Sequence, residues 1–191
     1  MPPVDISNTE LRTERLLLRP WRESDLEDFF EYASVKGVGE NAGWLPHENI
    51  GVSRGILEKF IAEKKTFALE YEGKVIGSLG IEKYQEALFP EYRDLRCREL
   101  GFVLAKPYWG RGLMPEAVNA VLGWLFFDQA YDAVFCGNFV HNAQSARVQE
   151  KCGFRPVGLI LHETHYGAVF ETQLRVITKD EFIGLHGLPE V

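Results

Sequence analysis

The sequence predicts a single α/β domain, in the broad sense that includes α+β folds. Its 191 residues suit one domain, and a domain of this size buries roughly 70% of its unfolded surface, enough for a core. Short apolar runs alternate with amphipathic runs of helical period. Residues 98–117, RELGFVLAKPYWGRGLMPEA, join a strand to a helix through a glycine turn. We expect the domain to occupy residues 1–191, with its core over about residues 11–181.

Seven segments have the apolar, β-branched and aromatic composition of strands. In chain order they are residues 16–19, 66–71, 75–83, 100–104, 133–139, 155–162 and 168–177. Pro20 ends the first of them, because proline cannot continue a ladder of main-chain hydrogen bonds. Residues 72–74, Glu-Gly-Lys, are predicted as the turn of a hairpin between the second and third strands.

Four segments have the period and the capping residues of helices. Ser24 and Glu27 form a capping box for the first helix, whose apolar stripe is Leu26, Phe29, Phe30 and Ala33. The second helix is predicted at residues 55–64. The third has Pro115 in its first turn and places Val118, Val121, Leu122 and Leu125 on one face toward the sheet. The fourth is short, with Asn142 as N-cap and Gly153 at the C′ position.

Composition and charge exclude several classes of partner. The net charge of −7 argues against nucleic acid, which needs a basic face. The N-terminal stretch MPPVDISNTELRTER lacks the apolar segment of a signal peptide, and the most apolar helix, residues 117–127, is too short to span a bilayer. The 3 cysteines show no metal-type spacing, so we expect reduced thiols, no metal site and a cytoplasmic location. Monomer and homodimer fit the patterns equally.

The glycine turn predicts an anion site, because the first amides of a helix lack partners and the helix dipole is positive there. A P-loop would need Lys and then Ser or Thr after the last glycine, but Leu113 and Met114 follow Gly112. A dinucleotide fingerprint would need a third glycine. Two interpretations stay open on the loop alone: a pyrophosphate held by main-chain amides, or an ordinary turn between strand and helix.

Two further segments carry a family resemblance. The loop YWGRGLMPEA, residues 108–117, and the helix HNAQSARVQEKCGF, residues 141–154, together resemble the GNAT superfamily of acetyl-CoA-dependent N-acetyltransferases. Residues 11–30, LRTERLLLRPWRESDLEDFF, make the chain most similar to the branch that acetylates ribosomal-protein N-termini. The resemblance implies the acyl-CoA N-acyltransferase fold, a central mixed and mostly antiparallel β-sheet flanked by helices. It also implies acetyl-CoA as cosubstrate and an amine as acceptor.

The same resemblance implies which residues bind the cosubstrate. The main chain of residues 102–104 would pair with the pantetheine arm, with the Val103 N–H as oxyanion donor. The amides of residues 110–114 would hold the pyrophosphate, and Asn142 would both cap its helix and bond the pantetheine. The full predicted set is Phe102, Val103, Leu104, Trp109, Gly110, Arg111, Gly112, Leu113, Met114, Asn142 and Ser145. Trp109 and Met114 depart from the general family pattern, and the Arg111 side chain either contacts a phosphate or is a solvated cation.

Acetyl transfer to an amine needs a base, an oxyanion donor and a hydrogen-bond donor for the leaving thiolate. Glu99, at the start of the cosubstrate strand, is the candidate base; the alternative is that it pairs with Arg96, Arg98 or a cation of the substrate. Many relatives have Tyr four residues before the Gly-Phe pair of the last helix, where this chain has Gln149. Ser145 is therefore the candidate donor to the sulfur; the alternative is that it only supports the helix cap.

The acceptor is predicted from the free energy of deprotonation. At pH 7 an α-amine of pKa near 8 costs about 1.4 kcal/mol to deprotonate, and a lysine near 10.4 costs about 4.6 kcal/mol. A site with one base therefore favours a protein or peptide N-terminus. The alternatives are acetylation of a small-molecule amine, such as a polyamine or an antibiotic, and a non-catalytic acyl-CoA-binding regulatory module. We expect the acceptor groove at residues 44–47, 84–98 and 165–167.

Overall fold

A computed structural model describes residues 4–188; the first three and last three residues of the predicted domain 1–191 lie outside the described part. The strands are β1 (Leu11–Arg12), β2 (Leu16–Pro20), β3 (Thr66–Tyr71), β4 (Lys74–Glu82), β5 (Cys97–Leu104), β6 (Ala133–Phe139), β7 (Arg155–Glu163) and β8 (Val169–Thr178). The helices are α1 (Leu26–Ala33), α2 (Ile50–Glu63), α3 (Leu113–Gly123), α4 (Ala143–Lys151) and α5 (Lys179–His186). Among residues 4–188, none of the helices has both the length and the apolar composition of a membrane-spanning segment.

The strands form one 8-stranded sheet in the order β1-β2-β3-β4-β5-β6-β8-β7. Neighbouring strands are antiparallel throughout, except that β5 and β6 are parallel. This confirms the predicted mixed, mostly antiparallel sheet flanked by helices. A parallel pair cannot be joined by a hairpin, and the chain between β5 and β6 is the segment that contains the glycine turn and α3.

Two helices begin where the sequence analysis did not place them. The predicted capping box of Ser24 and Glu27 is wrong: α1 begins at Leu26, and the Asp25 carboxylate accepts the Arg22 amide at 2.8 Å. The second helix begins at Ile50 rather than residue 55, because the Asn49 side chain accepts the amides of the first turn. The predicted caps of α4 are confirmed by the Asn142 side chain and by Gly153, whose φ is +85°.

Other differences lie at strand ends. In the β3–β4 hairpin only Glu72 and Gly73 form the turn, with φ of 51° and 80°, while Lys74 already pairs with Tyr71. The strand predicted to start at residue 100 starts at Cys97, so Glu99 lies within it. β1 and α5 were not predicted. α5 has a capping box, because the Thr178 hydroxyl accepts the Glu181 amide and the Glu181 carboxylate accepts the Thr178 amide.

Apolar side chains cover both faces of the sheet. On one face α3 and the π turn that continues it (Trp124–Asp128) pack against the central strands. On the other face α1 and α2 cover β3 and β4. The insertion between β4 and β5 covers a further part of that face, where Tyr84 and Phe89 stack on Phe135 with ring centroids 5.3 and 4.8 Å away. Each buried large side chain stabilises the fold by about 1.5–3 kcal/mol. Leu113 and Met114 are buried in the same cluster as Leu100, so this packing holds the start of α3 beside β5.

Candidate active site

The sheet has a gap between its two parallel strands. β5 pairs with β6 only where residues 97–100 face residues 133–136. β4 continues to pair with β5 as far as Leu104. Residues 101–104 therefore have a neighbouring strand on one side alone. A cleft with a volume of about 540 Å³ lies at this gap, and both strands, the start of α3 and α4 line it.

The main chain of β5 presents alternate residues to the gap. The Val103 carbonyl oxygen faces β4, since a Cβ on Gly77 would lie 2.3 Å from it, and the Ala105 amide donates to Ile76 in β4 at 2.8 Å. Main-chain groups alternate in direction along a strand, so those of Phe102 and Leu104 face the gap. The prediction that Val103 donates its N–H to the oxyanion is therefore wrong. The Leu104 carbonyl already accepts the Trp109 indole N–H at 2.7 Å.

The glycine turn leaves a row of main-chain amides without partners. Gly110 and Gly112 have φ of +74° and +78°, a left-handed conformation that glycine adopts without strain. Within the described part of the chain, the amides of residues 110–114 donate to no group, whereas the Trp109 amide donates to the Lys106 carbonyl at 3.1 Å. These residues, Arg111 apart, line the cleft. Free N–H groups at a helix N-terminus are what a pyrophosphate needs, and they fit the predicted anion.

The turn is braced from behind by the corner between β1 and β2. The Arg15 guanidinium donates to the Arg111 carbonyl at 2.9 Å and to Glu116, in the first turn of α3, at 2.8 Å. Glu116 also accepts the Arg15 amide at 2.8 Å. The Arg111 side chain is engaged away from the cleft, because it donates to the Tyr71 hydroxyl at 2.9 Å and lies over the Tyr71 ring. The amides are thus held in place by side chains distant in sequence.

Glu99 lines the cleft from the opposite end of β5. Strand alternation places its side chain on the same face as Cys97 and Val103, away from α3. It forms no ion pair or hydrogen bond with another residue of the range 4–188, so the alternative of a pair with Arg96 or Arg98 is not realised. Burial, and to a smaller extent the negative charge of Glu82, raise the pKa of Glu99 to about 7. A carboxylate with that pKa accepts protons well near neutral pH.

The N-cap and the first turn of α4 place the side chains of Asn142 and Ser145 at the cleft. The Asn142 Oδ1 accepts the Ser145 amide at 3.1 Å, and its Nδ2 donates to the Asn41 carbonyl at 3.2 Å. One turn further on, Gln149 donates from Nε2 to the Gly137 carbonyl at 3.1 Å and to the Ser145 hydroxyl at 3.2 Å. Asn142 therefore joins α4 to the connection between α1 and α2, and Gln149 joins it to β6.

Charge is distributed unevenly along the cleft. The C-terminal end of α4 lies beside the start of α3, with the Cys152 sulfur 3.6 Å from the Pro115 carbonyl. Arg147 and Lys151 on α4 line the cleft there, near the free amides. The basic side chains thus accompany the predicted anion site. Glu99, the one carboxylate among the described residues that line the cleft, lies at the other end. A negatively charged ligand portion is favoured at the first end and an ammonium at the second.

The residues that line the acceptor side of the cleft differ from those that the sequence predicts. Its lining beyond Glu99 consists of Val38, Asn41, Ala42, Gln85, Asn138, Phe139, Ile160, His162, Thr172 and Leu174. Of these residues, only Gln85 belongs to the segments predicted for the acceptor groove. Trp44 packs against the core of α1 and α2, and His47 is buried with Nδ1 2.7 Å from the Ser53 hydroxyl. Residues 165–167 do not line the cleft.

These features correspond to a family. Residues 15–155 match the family model described as the acetyltransferase (GNAT) domain. The chain belongs to the GNAT acetyltransferases. As a member of this family it transfers an acetyl group from acetyl-CoA, its cosubstrate, to an amine. The non-catalytic alternative raised by the sequence is therefore not adopted.

The similarity to the following relatives covers nearly the whole length of the acetyltransferase. It is 21% identical over 182 residues to the uncharacterized N-acetyltransferase p20 of Bacillus licheniformis, covering 91% of this chain and 98% of the relative. A GNAT acetyltransferase structure from Bacillus anthracis superposes with a TM-score of 0.78, at 22% identity, covering 90% of this chain and 99% of that one. A ribosomal-protein-S5-alanine acetyltransferase from Vibrio fischeri has a TM-score of 0.70, at 20% identity, covering 92% and 99%. At these identities the structures show a shared fold.

The acetyltransferase brings most predicted site residues to one cleft. These are Glu99, Phe102, Val103, Leu104, Trp109, Gly110, Gly112, Leu113, Met114, Asn142 and Ser145. Arg111 is placed outside the lining, and Trp109 uses both of its N–H groups within the protein, so only its ring is available. Sequence reasoning missed Arg15, Asn41 and the bonds of Gln149. Arg15 and Asn41 had no local signal, because each acts on a residue far along the chain.

Proposed function

We propose that the acetyltransferase acetylates the α-amine of a peptide or protein N-terminus, with Glu99 as general base. The observation that carries the proposal is the mostly buried carboxyl of Glu99, which lines the cleft without a hydrogen-bonding or ion-pair partner among the described residues and has its pKa raised to about 7. Relative to such a base, an α-ammonium of pKa near 8 gives up its proton at a cost of about 1.4 kcal/mol, and a lysine ammonium at about 4.6 kcal/mol. The branch resemblance of residues 11–30 supports the same acceptor.

Charge on the acceptor side also favours an amine with no second charged group. Among the described residues that line it, Glu99 is the only carboxylate, and none is Lys or Arg. A polyamine would bring a second ammonium to a surface with no second carboxylate. A nucleotide or a free amino acid would bring an anion close to Glu99, with no cation to balance it. A peptide N-terminus carries one ammonium followed by neutral amides, with which the Gln85 side chain can form hydrogen bonds.

The proposed reaction is direct transfer. Glu99 takes a proton from the ammonium, and the neutral nitrogen attacks the thioester carbon. The carbonyl oxygen gains negative charge, which a gap-facing amide of β5 stabilises. The nitrogen, which carries a positive charge after the attack, loses its second proton to solvent. The carbon–sulfur bond then breaks, its electron pair goes to the sulfur, and Ser145 donates a hydrogen bond to the resulting thiolate. The free amides of residues 110–114 hold the pyrophosphate throughout, which positions the thioester beside Glu99.

An acceptor panel tests the proposal. It contains a peptide with a free N-terminus, an Nα-blocked lysine peptide, spermidine and an aminoglycoside, each incubated with acetyl-CoA while thiol release and product mass are followed. We expect the free-N-terminus peptide to have a kcat/KM at least about 10-fold above the others, since the pKa difference alone disfavours lysine by more than that factor. A preference for spermidine, the aminoglycoside or the blocked peptide would overturn the proposed acceptor.

The base is tested by Glu99→Gln. We expect kcat to fall by about 100-fold or more, the CoA dissociation constant to stay unchanged, and the acidic limb of the rate near pH 7 to disappear. Glu82→Gln is the matched control: it removes the neighbouring carboxylate, keeps kcat and moves the acidic limb to lower pH, because the pKa of Glu99 falls. Unaltered turnover in Glu99→Gln would remove it from the mechanism.

A further inference from the structure

Gln149 makes an unusual set of hydrogen bonds for a fully buried amide. It lies on the inner side of α4 with 0% of its surface exposed. Its Nε2 donates to the Gly137 carbonyl in β6 at 3.1 Å and to the Ser145 hydroxyl oxygen at 3.2 Å. Its Oε1 has no partner in the described part of the chain. A buried amide oxygen without a partner is costly, and an apolar side chain would avoid that cost.

The neighbours of Gln149 fix which way its amide points. A carbonyl oxygen only accepts hydrogen bonds, so the nitrogen, rather than the oxygen, must face Gly137. The second hydrogen of the same nitrogen then points at Ser145. Since an amide nitrogen cannot accept, Ser145 is the acceptor in this contact and its own hydrogen is directed elsewhere. Within residues 4–188 that hydrogen reaches no acceptor, and Ser145 lines the cleft.

We propose that Gln149 is a positioning residue, which occupies one lone pair of Ser145 so that the serine hydrogen points into the cleft at the sulfur of the leaving group. This inference rests on the proposed function. As the carbon–sulfur bond breaks, the electron pair moves to sulfur and the Ser145 hydrogen bond stabilises the thiolate. A serine hydroxyl is a much weaker acid than a thiol, so the proton stays on Ser145. The thiolate later takes a proton from solvent. The nitrogen has released two protons, one through Glu99 and one directly to solvent, so the reaction releases one proton net.

The main test is Gln149→Met, which keeps length and volume but has no donor. We expect kcat to fall by about 10-fold, a typical loss for a transition-state hydrogen bond. The KM for acetyl-CoA and the CoA dissociation constant should change less than about twofold. In a Ser145→Ala background the same substitution should cause no further fall, because the two residues act as a unit. Equal falls in both backgrounds, or a fall confined to KM, would assign Gln149 a merely structural role.

Asn119→Leu is the matched control. Asn119 is another helical amide whose side-chain oxygen is buried without a partner among the described residues, but it lies on α3 and outside the cleft lining. We expect its kcat to equal that of the unchanged enzyme. Thermal melting of each variant reports whether it is folded.

A second variant keeps the inference testable if Gln149→Met does not fold. In Gln149→Glu the ionised carboxylate accepts the Ser145 hydrogen and withdraws it from the cleft. The activity of the variant relative to the unchanged enzyme should therefore decrease as pH rises. A ratio that is constant with pH would contradict the inference. Failure of the proposed function is distinguishable, because then the unchanged enzyme itself releases no thiol with the peptide.

Discussion

Glu99 combines features that stability alone does not favour. It is mostly buried, it lacks an ion-pair partner among the described residues, and its cross-strand partner in β4 is another carboxylate, Glu82. The Lys65 ammonium lies 2.6 Å from Glu82 and offsets part of that second charge. A side chain that is costly to ionise and that faces a cleft is typical of a functional site. The burial that makes the ionised carboxylate costly for folding also raises the pKa of Glu99, and this makes it a better base toward an amine.

We therefore expect Glu99→Gln to stabilise the protein at alkaline pH. Folding raises the pKa of Glu99 from its ordinary value of 4.5 to about 7. Below pH 4.5 the carboxyl is neutral in both states and costs nothing, and the cost of ionising it in the folded state grows as pH rises toward 7. At pH 8 the variant should gain on the order of 3 kcal/mol in the free energy of unfolding. Urea unfolding of the variant and the unchanged protein at pH 4 and at pH 8 measures this gain in stability. An equal gain at the two pH values would contradict the prediction.

At the scale of elements, the strand, glycine turn and helix between β5 and α3 form the part that binds the anion. Gly112 is the N-cap of α3 in a left-handed conformation, and two amides of the first turn, those of Leu113 and Met114, follow it. Arg15 and Glu116 hold this turn against the β1–β2 corner. Geometry that depends on one positive φ is sensitive to any side chain at that position.

Gly112→Val should weaken CoA binding. A β-branched residue at φ of +78° is strained by at least about 1–2 kcal/mol. The turn relieves that strain by moving its amides out of register with the pyrophosphate. We expect the CoA dissociation constant to rise by about 10-fold or more, measured by calorimetry. The control is Gly123→Ala at the end of α3, where φ is −56° and nothing lies within 4 Å of the new carbon. It should leave binding unchanged and stabilise the helix by about 0.5–1 kcal/mol.

The elements were predictable from sequence to the extent that their signals are local. The glycine turn, the Asn142 cap and the alternation of the strands are each contained within a few residues, and the structure has them. The start of α2 was predicted too late in the sequence. Gly51 and Gly55 have a low helix propensity, which made the first turns after the Asn49 cap look non-helical. The direction of the Val103 main chain, the brace by Arg15 and the bonds of Gln149 depend on residues from other elements. No pattern within a segment encodes such contacts, so only the folded chain shows them.

At the scale of the whole molecule, the sheet consists of two parts that meet at the gap. β1 to β5 form one part and β6 to β8 the other, and the ladder between them joins only residues 97–100 and 133–136. The remainder of that boundary is the cleft. α4 and the connection before α2 cross it through the bond between Asn142 and the Asn41 carbonyl at 3.2 Å. A ligand lying along residues 101–104 would contact both parts at once, as an added strand would.

We therefore expect CoA to stabilise the fold as a whole rather than one loop. At 100 times its dissociation constant a ligand that binds only the folded state adds about 2.7 kcal/mol, which for a chain of this size raises Tm by roughly 5–10 °C. Gly112→Val at the same CoA concentration, with a dissociation constant 10-fold higher, should gain only about 1.4 kcal/mol and about half the shift. Calorimetric melting with and without CoA measures both. A single cooperative transition that moves by these amounts fits a ligand spanning the gap, whereas an unchanged Tm at saturating CoA would contradict a binding site there.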